Sequence, residues 1–174
     1  MAKAYLSFGS NMGDRISNIQ YAMHLLQSDN NVELKSASTF YETQPWGEKT
    51  DIWFVNAAVE IETLLSPIEL LRVCQDIEAR LGRNRDEEIR WGNRPIDIDI
   101  LFYDDLIFQN DILTIPHPRI QERAFVLVPM LEIAQDFIHP LFQKSISDLY
   151  DSLEDPEQVY LYGTRIDTNG NELN

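Results

Sequence analysis

Residues 90–101 read Arg-Trp-Gly-Asn-Arg-Pro-Ile-Asp-Ile-Asp-Ile-Leu, and the second half of this stretch decides the fold. Isoleucine and aspartate alternate from Ile96 to Ile100, which predicts a strand with one apolar face in the core. Asp97 and Asp99 then share the other face, with Cβ atoms about 7 Å apart at a rise of ~3.3 Å per residue. Two carboxylates at that separation favour a divalent cation, a cationic partner or a proton. The pair is therefore either a magnesium site or a solvated outer face.

Arginine is concentrated just upstream of this strand. Five of the 14 lysines and arginines lie between residues 80 and 94, in a chain with 29 acidic residues and a net charge of −15. They are Arg80, Arg83, Arg85, Arg90 and Arg94. A local positive region on so acidic a protein favours an anionic small molecule, because the remaining surface would repel nucleic acid. Arginines for phosphate beside carboxylates for Mg²⁺ indicate phosphoryl transfer.

Length and composition bound the class of protein. The 174 residues fit one domain, which we place at residues 1–155, followed by a C-terminal extension at 156–174. Cys74 is the only cysteine, so a reducing compartment fits. No apolar run approaches the roughly 18 residues of a membrane span. We expect a cytoplasmic protein without a membrane or nucleic-acid partner, and leave its oligomeric state open between monomer and weak dimer.

The order of elements predicts an α+β fold. Strands are expected at 4–8, 32–42, 53–62 and 96–103, and helices after Asp14 and from Ser66 to Gly82. The order β-α-β-β-α-β matches a ferredoxin-like sandwich, an antiparallel sheet with helices packed on it. Gly9 and Gly13 indicate tight turns rather than a nucleotide-binding loop. Asn56, in the third strand, is either a satisfied core amide or a group that reads the edge of a heterocycle.

The second half of the chain is less regular. Residues 83–93 are polar and lack periodicity, which predicts a mobile lid over the active site. An apolar run after Arg123 leads into a core helix that we expect to begin at Pro129, and residues 145–153 predict a final amphipathic helix. Residues 159–162 form either an edge strand or a frayed tail, with a turn at 168–171.

Several short motifs occur together in this chain. They are Phe8-Gly9-Ser10-Asn11, Tyr41-Glu42-Thr43, Asn56-Ala57-Ala58-Val59, Glu78-Ala79-Arg80-Leu81-Gly82-Arg83, the stretch 90–101, Pro116-His117-Pro118-Arg119 and Glu122-Arg123-Ala124-Phe125. In kind and order they resemble the 6-hydroxymethyl-7,8-dihydropterin pyrophosphokinases, a family of folate-biosynthesis enzymes. The pattern Arg-x-x-Asp-aliphatic-Asp, which begins here at Arg94, is that family's signature.

The resemblance implies a reaction and a set of site residues. The reaction is transfer of pyrophosphate from ATP to the hydroxymethyl group of the pterin, with release of AMP and with two Mg²⁺ ions. By similarity the catalytic residues are Arg83, Arg94, Asp97 and Asp99, of which Asp97 and Asp99 are also the metal ligands. Those for the pterin are Thr43, Trp46, Phe54, Asn56 and Phe125. Those for ATP are Gln75, Arg85, Trp91, Thr114, His117 and Arg123, and Glu78 aligns with a residue near the hinge of the lid.

Two other classes of protein share part of these features. A magnesium-dependent nucleotide phosphohydrolase would use the same carboxylates and arginines, and it would consume ATP without a pterin. A binding module that is not an enzyme would keep Phe54, Asn56 and Phe125 without needing the two aspartates. The combination of both groups of residues favours the pyrophosphokinase.

Overall fold

The computed structural model describes residues 1–43, 52–83 and 94–165, and a six-stranded antiparallel sheet organises them. The elements in chain order are β1 (Ala2–Ser10), α1 (Arg15–Gln27), β2 (Val32–Ala37), β3 (Tyr41–Thr43), β4 (Phe54–Thr63), α2 (Pro67–Arg80), β5 (Asp97–Tyr103), β6 (Phe108–Gln109), β7 (Thr114–Ile115), a 3₁₀ turn (Ile120–Glu122), α3 (Ala124–Ala134), α4 (Ile146–Asp151) and β8 (Val159–Leu161). β6 and β7 form a separate two-stranded ribbon.

Strand β1 lies in the interior of the sheet, next to the edge strand β5. It pairs antiparallel with β4 on one side and with β5 on the other. Both β2 and β3 pair with β4, and β8 pairs with the outer edge of β3. The predicted α+β class and antiparallel sheet are confirmed.

The predicted strand 32–42 is in fact two strands, and Ser38 explains the interruption. The backbone N–H of Ser38 donates to the carbonyl of Ala58 (2.8 Å), and its hydroxyl oxygen accepts from the N–H of Ala58 (2.9 Å). The side chain thus takes over part of the backbone pairing, and regular pairing with β4 resumes at Tyr41.

Each face of the sheet covers a separate core. Leu6, Phe8 and Ile98 belong to the core that packs under α1 and α2, whereas Tyr5 and Ala58 belong to the core under α3 and α4. The helices therefore cover both faces, which the order of elements alone does not predict. The face of α3 and α4 also carries the polar residues of β1, β4 and β5, because neighbouring residues of a strand point to opposite faces.

Local signals placed the first two helices well. The side chain of Asp14 caps α1 by accepting from the N–H of Ser17 (3.1 Å). Ser66 and Glu69 form a reciprocal capping box at α2, and Gly82 follows that helix with a φ of +89°. Within the described ranges, no helix combines the length and apolar character that crossing a membrane requires.

The prediction that the core helix begins at Pro129 is wrong, because α3 begins at Ala124 and contains Pro129. The N-cap residue, Arg123, makes no side-chain capping bond. Instead, the carboxylate of Glu157 accepts from the N–H of Phe125 (2.7 Å) and satisfies this donor of the first turn. The cap therefore comes from residues far along the chain and has no local signal.

At the C-terminus the two alternatives are resolved for residues 159–161, which form the edge strand β8. The final predicted helix is confirmed as α4, with Ser145 as its N-cap. The turn predicted at 168–171 lies outside the described residues.

Candidate active site

A row of residues crosses the sheet where the predicted site lies. Gly9 of β1 pairs with Asp97 on one side and with Asn56 on the other, and Asn56 pairs with Tyr41. These residues therefore share one face, the same face as α3 and α4. In the neighbouring row Asp99 pairs with Ser7. The two predicted carboxylates and Asn56, one of the predicted pterin residues, are thus brought together on one surface.

Gly9 leaves room for the side chain of Asn56, which approaches it closely from the neighbouring strand. A Cβ atom at this position would lie 2.8 Å from Oδ1 of Asn56 and 3.7 Å from the ring of Phe54. Gly9 lies inside β1, so its interpretation as a turn glycine is wrong. That interpretation holds for Gly13, which has a φ of +66°.

Asn56 is buried, with an exposed fraction of 4 %, and its amide Nδ2 donates to Oγ1 of Thr43 at 2.6 Å. Phe54 pairs with Thr43 in the register of β3 and β4 and remains partly exposed. Three of the predicted pterin residues therefore adjoin one another. Of the other two, Phe125 lies in the first turn of α3, which packs against β4 and β3, and Trp46 lies outside the described residues.

The predicted catalytic arginines converge on one carboxylate. Arg83 lies 2.8 Å from Oδ1 of Asp97, and Arg94 lies 3.3 Å from Oδ2 of the same side chain. Arg83 also pairs with the buried Glu78, whose carboxylate accepts from the N–H of Ile98 at 3.0 Å. Glu78 therefore joins the end of α2 to the strand of the aspartates. The alternation and the charge pattern predict that the aspartates and the arginines lie beside one another. Only the family resemblance indicates that Glu78 belongs to the same site.

Asn11 fixes the backbone next to Arg94, a role the sequence did not reveal. Its side-chain Oδ1 accepts from the N–H of Arg94 at 2.6 Å, and its own N–H donates to the carbonyl of Arg94 at 3.0 Å. The end of β1 is thus tied to the residue that precedes β5. The presence of Asn11 in a motif shared with the family was the available signal.

The electrostatics of the site favour a cation. Burial raises the pKa of Asp99 to about 7, and the negative charges of Asp97 and Glu78 add to the rise, while Arg123 and Arg83 oppose it. Burial also lowers the pKa of His117 to about 4, helped by the positive charge of Arg123. Arg123 therefore acts on both the carboxylates and His117, which places two predicted phosphate residues near the aspartates.

The remaining predicted nucleotide residues are more scattered. Gln75 is exposed on α2, and Thr114 is half-buried on β7. Within the described parts of the chain, no hydrogen bond or ion pair joins either to the carboxylates. Arg85 and Trp91, together with the rest of the predicted lid after Arg83, lie outside the described residues.

The donor set at the aspartates consists of oxygen. Among the described residues, no group of three or more histidine, cysteine, aspartate or glutamate side chains is arranged to hold a metal ion. A hard cation that takes one or two carboxylates and completes its shell with water and phosphate still fits two aspartates.

Comparison with known proteins places the chain in a family. The model of the family described as 7,8-dihydro-6-hydroxymethylpterin-pyrophosphokinase (HPPK) matches residues 5–135. The 2-amino-4-hydroxy-6-hydroxymethyldihydropteridine pyrophosphokinase of Methylorubrum extorquens is 46% identical over 138 residues, which cover 79% of this chain and 86% of that protein. The enzyme of the same name from Bacillus subtilis is 46% identical over 132 residues, 76% of this chain and 78% of that one.

Longer proteins contain a similar region. The folic acid synthesis protein fol1 of Schizosaccharomyces pombe is 43% identical over 162 residues, and the match spans 92% of this chain but 22% of fol1. A crystal structure of Plasmodium falciparum HPPK-DHPS with pteroate has a TM-score of 0.69 at 15% identity, covering 86% of this chain and 44% of that one. That likeness confirms the fold, and the family match together with the bacterial relatives shows that the chain belongs to the 7,8-dihydro-6-hydroxymethylpterin-pyrophosphokinase family.

Proposed function

We propose that this chain transfers pyrophosphate from ATP to 6-hydroxymethyl-7,8-dihydropterin, a step of folate biosynthesis, and that it does so on the face shared by Asp97 and Asn56. The hydroxymethyl oxygen attacks the β-phosphorus, the bond from that phosphorus to the α,β-bridging oxygen breaks, and AMP leaves while the hydroxyl proton passes to water. The observation that carries the proposal is the convergence of Arg83 and Arg94 on Asp97, in the same row as Asn56.

We place two Mg²⁺ ions at Asp97 and Asp99. The two oxygen donors fit this ion, and burial together with the charges of Asp97 and Glu78 raises the pKa of Asp99, so a cation beside this carboxylate would be favourable. When bound, Mg²⁺ would neutralise phosphate oxygens and favour in-line attack. The aspartates themselves would fix the position of the triphosphate relative to the sheet.

The arginines have a distinct part in the proposal. In the absence of nucleotide they neutralise Asp97. We infer that both guanidinium groups exchange this carboxylate for phosphate oxygens when Mg-ATP binds, because a metal at Asp97 competes for the same oxygens. They would then stabilise the charge that develops as the bond to AMP breaks. Glu78 remains as the fixed partner that orients Arg83.

Thr43, Phe54, Asn56 and Phe125 are proposed to form the pterin slot. Nδ2 of the Asn56 carboxamide donates a hydrogen bond to Thr43, and Oδ1 of the same group faces Gly9. An amide supplies both a donor and an acceptor, which suits the polar edge of a pterin. The ring of Phe54 would stack on the heterocycle, and Phe125 and Trp46 would complete the slot.

His117 and Arg123 are proposed to contact phosphate, with Gln75, Arg85, Trp91 and Thr114 around the nucleotide. The shift of the His117 pKa means that this imidazole is neutral at pH 7 and donates a single hydrogen bond. Residues 83–93 are proposed to close over both substrates and exclude water. The net charge of −15 argues against a nucleic-acid partner.

The decisive experiment identifies the nucleotide product. The protein is incubated with Mg-ATP and 6-hydroxymethyl-7,8-dihydropterin, and AMP is separated from ADP. Pterin-dependent AMP, matched by pterin diphosphate, is the expected result. Pterin-dependent ADP would indicate single-phosphoryl transfer, ATP consumption without pterin a phosphohydrolase, and pterin binding without any product a binding module.

A further inference from the structure

The C-terminal segment, residues 157–165, contacts both sides of the proposed pterin slot. On one side, the carboxylate of Glu157 accepts from the N–H of Phe125 at 2.7 Å. On the other, Val159 pairs with Thr43 in the register of β8 and β3. The segment therefore bridges two elements, α3 and β3, that each supply a slot residue.

A buried ion cluster continues these contacts behind the slot. Successive strand residues point to opposite faces, so Glu42 lies behind Thr43. The Glu42 side chain is 1 % exposed, and its Oε2 accepts a hydrogen bond from Arg15 at 3.4 Å and forms an ion pair with Arg165 at 3.3 Å. A buried carboxylate needs such partners, because burying an unpaired charge is costly. Arg165 is thereby anchored to the strand that carries Thr43.

Arg165 also reaches the strand that carries Phe54. Its guanidinium carbon lies 4.4 Å from the ring centroid of Trp53, the residue immediately before Phe54, and Tyr160 packs against the same ring with centroids 5.9 Å apart. The carbonyl of Trp53 accepts from Arg15 at 2.8 Å.

We propose that residues 157–165 are a positioning element for the pterin slot, which fixes Thr43, Phe54 and Phe125 at the spacing that the pterin requires. The inference rests on the proposed function. The contacts of Glu157, Val159 and Arg165 given above are with elements that form the slot, so we expect the element to act on the affinity for the pterin more than on the affinity for ATP. Displacements of about 1 Å in a positioned group can cost on the order of 10²-fold in activity.

The test separates the two substrates. We would prepare Glu157→Ala and, because removal of Arg165 alone leaves the buried Glu42 under-compensated, the double variant Glu42→Gln/Arg165→Met. The matched controls are Glu157→Gln, whose amide oxygen still accepts from Phe125, and Tyr162→Ser, which alters an exposed side chain of the same segment. KM for the pterin, KM for ATP and kcat are measured by AMP release, and thermal unfolding is recorded for each variant.

In Glu157→Ala and in the double variant we expect the KM for the pterin to rise about tenfold, while the KM for ATP stays within about twofold of the wild type. Both control variants should have KM values near those of the wild type. An unchanged KM for the pterin, or a parallel rise of both KM values, would overturn the inference. The same comparison made on the dissociation constant of the pterin covers the case in which the wild type releases no AMP, which would refute the proposed function alone. Absence of pterin binding by the wild type would overturn both.

Discussion

Gly9→Ala is the most direct test of the geometry of the slot. The new Cβ would lie 2.8 Å from Oδ1 of Asn56, whereas ordinary contacts begin near 3.4 Å, so the amide would have to move by about 0.6 Å. Asn56 is held by its bond to Thr43 at 2.6 Å and is buried in the sheet, so the shift is resisted. Overpacking of this kind costs about 2 kcal/mol, equivalent to a fall in Tm of about 4–8 °C for a chain of this size.

The effect on activity is specific to one substrate. Displacement of the Asn56 carboxamide should raise the KM for the pterin by about tenfold or more, because a buried polar group that loses its partner is costly. The KM for ATP should remain nearly unchanged. The assay is AMP release at varied pterin and varied ATP, with thermal unfolding in parallel.

A double variant isolates the cause. In Asn56→Ala the atom that the new Cβ would meet is absent, so adding Gly9→Ala should cost little further stability. Additive losses in the double variant, together with a normal KM for the pterin in Gly9→Ala, would refute the close-contact reasoning.

Three further predictions concern charge. Asp99→Asn should abolish turnover yet preserve or raise the free energy of unfolding measured with a chelator at pH 8, because the charged carboxylate, with its raised pKa, opposes folding; turnover near the wild-type level would contradict the metal proposal. Arg94→Ala should lower kcat by about 10²-fold while the KM for ATP changes less, and an unchanged kcat would remove Arg94 from the catalytic residues. Burial lowers the pKa values of His139 and His117, so the unfolded chain binds protons near pH 6.5 that the folded chain does not. The free energy of unfolding therefore falls as pH falls from 7 to 5, by at most about 1.4 kcal/mol per pH unit for each histidine. His139→Gln should reduce that slope in denaturant unfolding, and a slope equal to that of the wild type would refute the assignment.

The parts of the fold that could be predicted are those fixed by residues close together in the chain. The isoleucine and aspartate alternation placed β5 and its two faces, and the capping box at Ser66 placed the start of α2. The start of α3 could not be found in this way, because its first turn is satisfied by Glu157, far along the chain. The break between β2 and β3 depends on Ser38 meeting Ala58 across the sheet.

The same distinction applies to the site. The charge pattern indicated an anion site beside the aspartates, and the structure brings Arg83 and Arg94 to Asp97. The prediction that Gly9 is a turn glycine is wrong, because the need for a glycine within a strand depends on the side chain that lies across the sheet from it. Tertiary contacts of this kind leave no periodic trace in the sequence.

The pairing of β8 with β3 has a consequence for the order in which the molecule is completed. Synthesis proceeds from the N-terminus, so β8 leaves the ribosome after every other described strand, and until then the outer edge of β3 has no strand to pair with. Unpaired edges are the usual sites at which nascent chains associate wrongly. The growing chain therefore carries an open strand edge beside Thr43 until β8 is available to pair with it.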